Sequence, residues 1–309
     1  MIVKPHTSIK HRTLGYYFKI CRDVMARGRS LYYVDLYSGD GVCECPEAPV
    51  TTWDAPYLKM LQESKAKGLK LKCAFNDRDE NEINKLKSRL IGFEDFVLGT
   101  WHEDANKVYK VILNEVPPSE WSIFSLDPFN HDQLDFSTIE GIANHSDYDP
   151  KIRGKRKPEL VITFMVYSIL QAFKATKSDL ISEIKRKDLL NGIDRCLGTN
   201  SWRKEVSALE DMESPDTKMN HVFLKIFLKQ LEGVGYDTVV FRIEQTAHKN
   251  IIYYLILASS IPNAYKIISK NFEPYVKQVQ KDEWVKQNFN FFKMAKAKED
   301  GFALLDEFM

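Results

Sequence analysis

No stretch of this chain stays apolar for long enough to span a bilayer, and the opening segment M-I-V-K-P-H-T has no apolar signal core. The expectation is a cytoplasmic protein without a membrane partner. Excess charge of one sign is also missing, since 44 Lys and Arg stand against 43 Asp and Glu, a formal net charge of +1. A nucleic-acid partner would have to be met by a local basic patch and not by the whole surface. A disulfide framework is absent too: Cys21, Cys43, Cys45, Cys73 and Cys196 are odd in number, which suits a reducing compartment. Cys43 and Cys45 have neither a second pair nor a nearby histidine to complete a tetrahedral set, so they read as small buried or loop thiols, with no metal. Internal repeats and low-complexity segments are lacking.

What is present is ordinary globular material, 44% hydrophobic and 28% charged over 309 residues, enough for one large core or two small domains. The most informative stretch is Leu31 to Val42, L-Y-Y-V-D-L-Y-S-G-D-G-V. An apolar run rich in aromatic and β-branched residues carries Asp35 and then breaks into Ser38-Gly39-Asp40-Gly41. That is the order of a buried strand and a turn whose glycines let a ligand approach the backbone.

Strand and helix patterns then alternate. Residues 6–29 read as a leading helix with His6, Lys10, His11 and Arg12 at its front, and a loop with Pro46 and Pro49 precedes a helix near 55–67. Strands are expected at 69–75, 96–98 and 121–126, with helices near 80–90 and 105–116 between them. This rhythm implies parallel pairing through right-handed crossovers, hence an α/β doubly wound sheet. Asp35, Asp77, Asp104 and Asp127 all fall at or just past the carboxyl ends of successive strands, the edge where open parallel sheets bind ligands. Each acid alone could be a helix cap.

The second half opens on a basic loop containing Lys151, Arg153, Lys155, Arg156 and Lys157, followed by a buried strand at 159–167. Helices are expected at about 168–191 and 221–231. Two strands, 236–244 and 251–259, form a closing hairpin, and 272–309 reads as a helical tail. The domain reading is a basic helix at 1–30, a Rossmann-like core at 31–170, a helical insertion at 171–235, the closing hairpin of the core sheet at 236–271, and the tail.

A dinucleotide would want a third glycine opening the next helix, yet Gly41 is followed by Val-Cys-Glu-Cys-Pro. S-adenosylmethionine carries no phosphate and tolerates an acidic edge, so the residues favour it.

Several segments together resemble one family. They are H-T-x-x-K-H at His6 to His11, Y-V-D-L-Y-S-G-D-G at Tyr33 to Gly41, Asp54-Ala-Pro56, F-N-D-R-D at Phe75 to Asp79, L-D-P-F at Leu126 to Phe129, and Y-Y-L-I-L-A-S-S-I-P at Tyr253 to Pro262. They look like the three-Cys-motif partner family, TcmP, which is similar to class I S-adenosylmethionine-dependent methyltransferases and is named for its pairing with a three-cysteine-motif protein. The resemblance implies that Asp35, Tyr37, Gly39 and Gly41 hold the methionine part of the cofactor. It implies that Asp77 accepts from the ribose hydroxyls, and that Glu103 or Asp104 meets the adenine amino group. Asp127-Pro128-Phe129 then stands where amino-methyltransferases carry a D-P-P-Y type motif for the target amine, with Phe129 replacing the second proline and Asn130 the aromatic. The N-terminal His6, Lys10 and His11 are carried as substrate or motif residues, with His102 and His131 as candidate bases. Nucleic acid is the expected acceptor, through Lys10, His11 and the basic positions from Lys151 to Lys157. A second reading stays open, a methyltransferase-like module that binds a three-Cys-motif protein without catalysis of its own.

Overall fold

The structure, a computed structural model, describes residues 2–25, 30–145, 157–210, 215–247, 250–261 and 264–294. The chain divides into two compact units, one of residues 1–127 with 141–161 and one of 128–140 with 162–309.

In the first unit α1 (His6–Met25) leads into β1 (Leu31–Asp35), a short ribbon of β2 (Val42–Glu44) and β3 (Thr52–Asp54), and α2 (Pro56–Lys67). There follow β4 (Leu71–Asn76), α3 (Glu80–Arg89), β5 (Val97–Trp101), α4 (Ala105–Leu113) and β6 (Trp121–Leu126). Strand β1 lies in the middle, parallel to β4 from Leu31↔Leu71 and parallel to β6 from Leu31↔Trp121, giving the order β6-β1-β4-β5. The chain therefore builds outward from β1 to β5 and then returns to β1's other side. That reversal opens a crevice at the carboxyl ends of β1 and β6, where ligands of such sheets bind. The sheet is fixed by buried aromatics: Phe18 of α1 stands edge-on to Tyr33 at 4.8 Å between centroids, and Tyr57 of α2 lies 4.7 Å from Phe75.

The elements α5 (Phe136–Ala143) and β7 (Glu159–Phe164) contain the points where the chain passes from one unit to the other. The second unit continues with α6 (Val166–Ala175), α7 (Glu183–Leu197), α8 (Trp202–Ser207), α9 (Pro215–Gly233), β8 (Asp237–Gln245), β9 (Ile251–Ser259), α10 (Ala264–Lys281), α11 (Glu283–Asn288) and β10 (Phe289–Met294). Strands β8 and β9 form the expected antiparallel hairpin, from Asp237↔Ser259. Its helices have their own core: Trp202 is fully buried, edge-on to Phe173 and Phe223, with its indole N–H on Asp194 at 2.9 Å. The architecture is thus Rossmann-like α/β, with a mostly parallel central sheet closed by a hairpin.

Three local expectations change. The loop with Pro46 and Pro49 joins a two-stranded ribbon, Val42↔Asp54. The single helix expected at 168–191 is two, because the Ser182 hydroxyl accepts from Lys185 N–H and caps a new start for α7. The tail, read as helical, returns as β10, paired antiparallel with β8 from Phe289↔Gln245. In F-N-F-F-K-M, Phe289 and Phe291 alternate onto one face, and Phe291 stacks on Phe241 at 5.4 Å. Residues 295–309 lie outside the described residues.

Candidate functional site

The site is assembled at the reversal point of the first unit. Asp35 ends β1 and is 6% exposed, its carboxylate accepting from Tyr33 Oη at 2.6 Å and from the Tyr37 N–H at 3.0 Å. Burial pushes its pKa up to about 7 against the pull of those two hydrogen bonds, and Asp127 and Asp77 add like-charge repulsion. Gly39 and Gly41 both take positive φ, 58° and 84°.

Asp77, just past β4, binds the turn directly. One carboxylate oxygen accepts from the Gly39 N–H at 2.8 Å and the other from the Asp79 N–H at 2.9 Å. Burial raises its pKa too. Asp35, Tyr37, Gly39 and Asp77 are therefore brought together as expected from their strand-end positions. Gly41 has a further constraint: a Cβ there would lie 3.0 Å from Leu58, 3.1 Å from the Tyr57 hydroxyl and 3.3 Å from Leu86, so its bare α-carbon allows close packing against α2 and α3. Asp40, passed over in the sequence, is buried, bridging the Val42 N–H at 3.0 Å and Arg89 at 3.0 Å.

Asn76 also escaped sequence reasoning, although it immediately precedes Asp77. Its buried amide donates to Leu36 O at 3.0 Å and Glu103 O at 3.1 Å, and its oxygen accepts from the Glu103 N–H at 3.1 Å. It joins the loop after β1 to the loop after β5. Glu103 enters this clasp through its backbone. Asp104 caps α4 by accepting from the Asn106 N–H at 2.8 Å, which leaves part of its carboxylate for another donor. His102 is exposed beside them.

Asp127 follows β6, and its partner comes from 117 residues earlier. Lys10 Nζ reaches both carboxylate oxygens, at 2.6 and 2.8 Å, with the side chains only 12% and 21% exposed. His6 and His11 flank this lysine on α1. Burial and then the Lys10 charge lower their pKa values to about 4 and about 3, so both are neutral at pH 7. His11 is a strut: its Nδ1 accepts from Trp53 Nε1 at 3.1 Å, tying α1 to β3.

Within the second unit, Pro128 is buried, and Phe129 is 62% exposed with its N–H on Gln133 Oε1 at 2.7 Å. His131 is buried against Ser168. Lys157 of the first unit is turned back onto Ala143 O at 2.9 Å, while Lys151, Arg153, Lys155 and Arg156 lie outside the described residues. All five cysteines are free and buried, and among the described residues no cluster of histidine, cysteine and acid suits a metal ion. None of the helices in the described residues is long and apolar enough to cross a membrane.

The set of groups at the reversal point is acidic: Asp35, Asp77, Asp104 and Asp127, with the Tyr37, Gly39 and Asp79 amides already donating to carboxylates. It fits a ligand that brings donors, such as ribose hydroxyls, an ammonium or an exocyclic amine, and it disfavours a pyrophosphate.

No family model matches the sequence, and no curated protein matches it. Among solved structures, protein LPL1258 from Legionella pneumophila, of family model DUF519, has a similar fold. Its TM-score is 0.55 at 11% identity over 94% of this chain and 96% of that one. Looser likenesses include the DszA carbon methyltransferase, TM-score 0.40 at 14% identity over 82% of this chain and 53% of that one. A candidate methyltransferase from Streptococcus mutans in complex with SAH gives 0.37 at 11% identity, over 84% and 99%. At 11% identity the likeness to the Legionella protein is one of fold.

Proposed function

We propose that the chain is an S-adenosylmethionine-dependent methyltransferase of the three-Cys-motif partner type, acting on an amine of a nucleobase in nucleic acid. The observation that supports it is the pairing of two acids across the reversal of the sheet, Asp35 ending β1 and Asp127 following β6, with Asp77 gripping the glycine turn beside them. When bound, the cofactor supplies a methyl group already activated on a sulfonium, so the protein's contribution is positioning and charge. Asp77 holds the turn and offers its remaining lone pairs to ribose hydroxyls. Asp104 offers the oxygen that does not cap α4. Asp127 orients the acceptor nitrogen through its N–H, a role that Lys10 now fills with its own ammonium and yields when the acceptor enters. As the acceptor nitrogen would bond to the methyl carbon, the carbon–sulfur bond would break with its electron pair returning to sulfur, the neutral thioether would leave, and the proton lost by nitrogen would pass to water.

Calorimetry with S-adenosylmethionine tests the cofactor. Wild type is expected to bind, and Asp77→Ala to bind at least about tenfold more weakly, about 1.4 kcal/mol. Tritiated methyl transfer to tRNA, rRNA, DNA and cell protein in parallel then tests the acceptor, with label expected in nucleic acid and lost in Asp127→Ala. No heat with wild type sinks the cofactor assignment. A second reading, a binding module for a three-Cys-motif protein, draws on the occupied Asp127 and on Phe129 and Asn130, both exposed where an amine-clamping motif carries its second proline and its aromatic. Cofactor binding without label in any acceptor would favour it.

A further inference from the structure

A recess in the second unit carries a different chemistry. On α7, Lys185, Asp188, Gly192 and Arg195 recur every three or four residues and so share one face. Opposite them the short turn His131–Gln133 closes a cavity of about 250 Å³. That is more room than an inorganic phosphate needs.

His131 is 7% exposed, and its orientation can be worked out from its partner. Ser168 Oγ lies 3.3 Å from the His131 backbone nitrogen and 2.8 Å from its Nδ1. The backbone N–H can only donate, so Oγ accepts there. The hydroxyl's own hydrogen finds no other acceptor among the described residues than Nδ1. We assign the hydroxyl as donor to Nδ1, which places the ring hydrogen on Nε2. Nε2–H has no partner among the described residues and faces Gly192, where an added Cβ would stand 3.5 Å away. Glycine inside a helix is unfavourable relative to alanine, and here it keeps the space over an N–H donor clear.

The walls add both signs of charge. Arg195 donates through Nε to Asp135 at 3.1 Å and lines the cavity, and Lys185 makes no ion pair among the described residues. Asp132 and Asp188 are exposed carboxylates on the same rim. A bare anion would meet repulsion from these acids. A ligand with an anionic end and a hydroxyl-bearing end satisfies both sets.

We propose that this recess binds the phosphate and ribose of a nucleotide: the phosphate on His131 Nε2–H, Lys185 and Arg195, the ribose hydroxyls on Asp132 and Asp188. Burial lowers the His131 pKa, which favours the neutral ring before a ligand enters. The site goes beyond the methyl-transfer reading and does not depend on it.

The test is calorimetric titration of the full chain, without S-adenosylmethionine, with AMP, adenosine, inorganic phosphate and a short single-stranded RNA. AMP or the RNA is expected to bind, with adenosine and phosphate each at least about tenfold weaker. Gly192→Leu and His131→Gln are each expected to weaken binding by about tenfold or more. AMP without RNA assigns a free nucleotide, and RNA without AMP assigns a strand. Failure of both to bind wild type overturns the proposal, as does unchanged binding in both variants. If Gly192→Leu does not fold, Gly192→Ala replaces it, since its Cβ meets only contacts of 3.5 Å and beyond. Because no cofactor is present, failure here leaves the calorimetry with S-adenosylmethionine unaffected, and the reverse holds.

Discussion

The acidic edge of the first unit and the recess of the second differ in what their polar groups are doing. At the edge every central group is engaged within the protein: Asp35 with Tyr33 and Tyr37, Asp77 with Gly39 and Asp79, Asp127 with Lys10. In the recess His131 Nε2 and Lys185 have no partner among the described residues. An engaged site is already in shape, and a ligand there must share lone pairs or displace a cation. A site with spare donors gains from any matching ligand, and glycine keeps its space open.

Substitutions that exchange these characters sharpen the contrast. The largest effect is expected from Gly41→Val, which forces a β-branched residue to φ 84° and presses its Cβ to 3.0 Å from Leu58. A loss of about 3 kcal/mol in denaturant unfolding is expected, from strain and overpacking together. A loss under about 1 kcal/mol would mean that the turn is not the rigid part of the edge.

Next comes Asp35→Asn. The folded Asp35 pKa is raised to about 7, so between roughly pH 4 and 7 the folded state binds a proton that the unfolded state has released. Its contribution is then best at low pH and lost as pH rises through 7. His6 and His11, lowered to about 4 and about 3, act oppositely and cost stability as pH falls below about 6.5. The asparagine variant is expected to be about 2 kcal/mol more stable than wild type at pH 8 and little changed at pH 4. Its stability should climb more steeply between pH 4 and 6.5, where the histidine effect no longer has an opponent. Equal stability profiles would show that Asp35 is ionised at neutral pH.

The smallest effect is in the recess. Gly192→Ala meets only ordinary contacts and is expected to raise stability by about 0.5–1 kcal/mol in thermal unfolding. A loss instead would give Gly192 a packing role like that of Gly41.

Much of this was legible in the residues. Strands β6 and β9 were read with the bounds they have, because continuous apolar runs between turn residues leave little choice of register. The strand-end acids were legible for the same reason: where the strand stops, the acid's position follows. The ribbon of β2 and β3 was not, since three-residue strands carry no periodicity. The tail's phenylalanines suit a helix face as well as a strand, and only their pairing with β8 decides. Lys10 and Asp127, 117 residues apart, are joined by topology and not by spacing. The separate roles of the two turn glycines were equally hidden, because Gly39 and Gly41 look alike until one is seen against Leu58.

Asn76 links the loops after β1 and β5 through three hydrogen bonds. Two loops that move independently would each surrender conformational freedom when a ligand bridges them. Clasped, they have surrendered it during folding, and the entropic cost of ordering falls on the chain's own stability and not on each binding event.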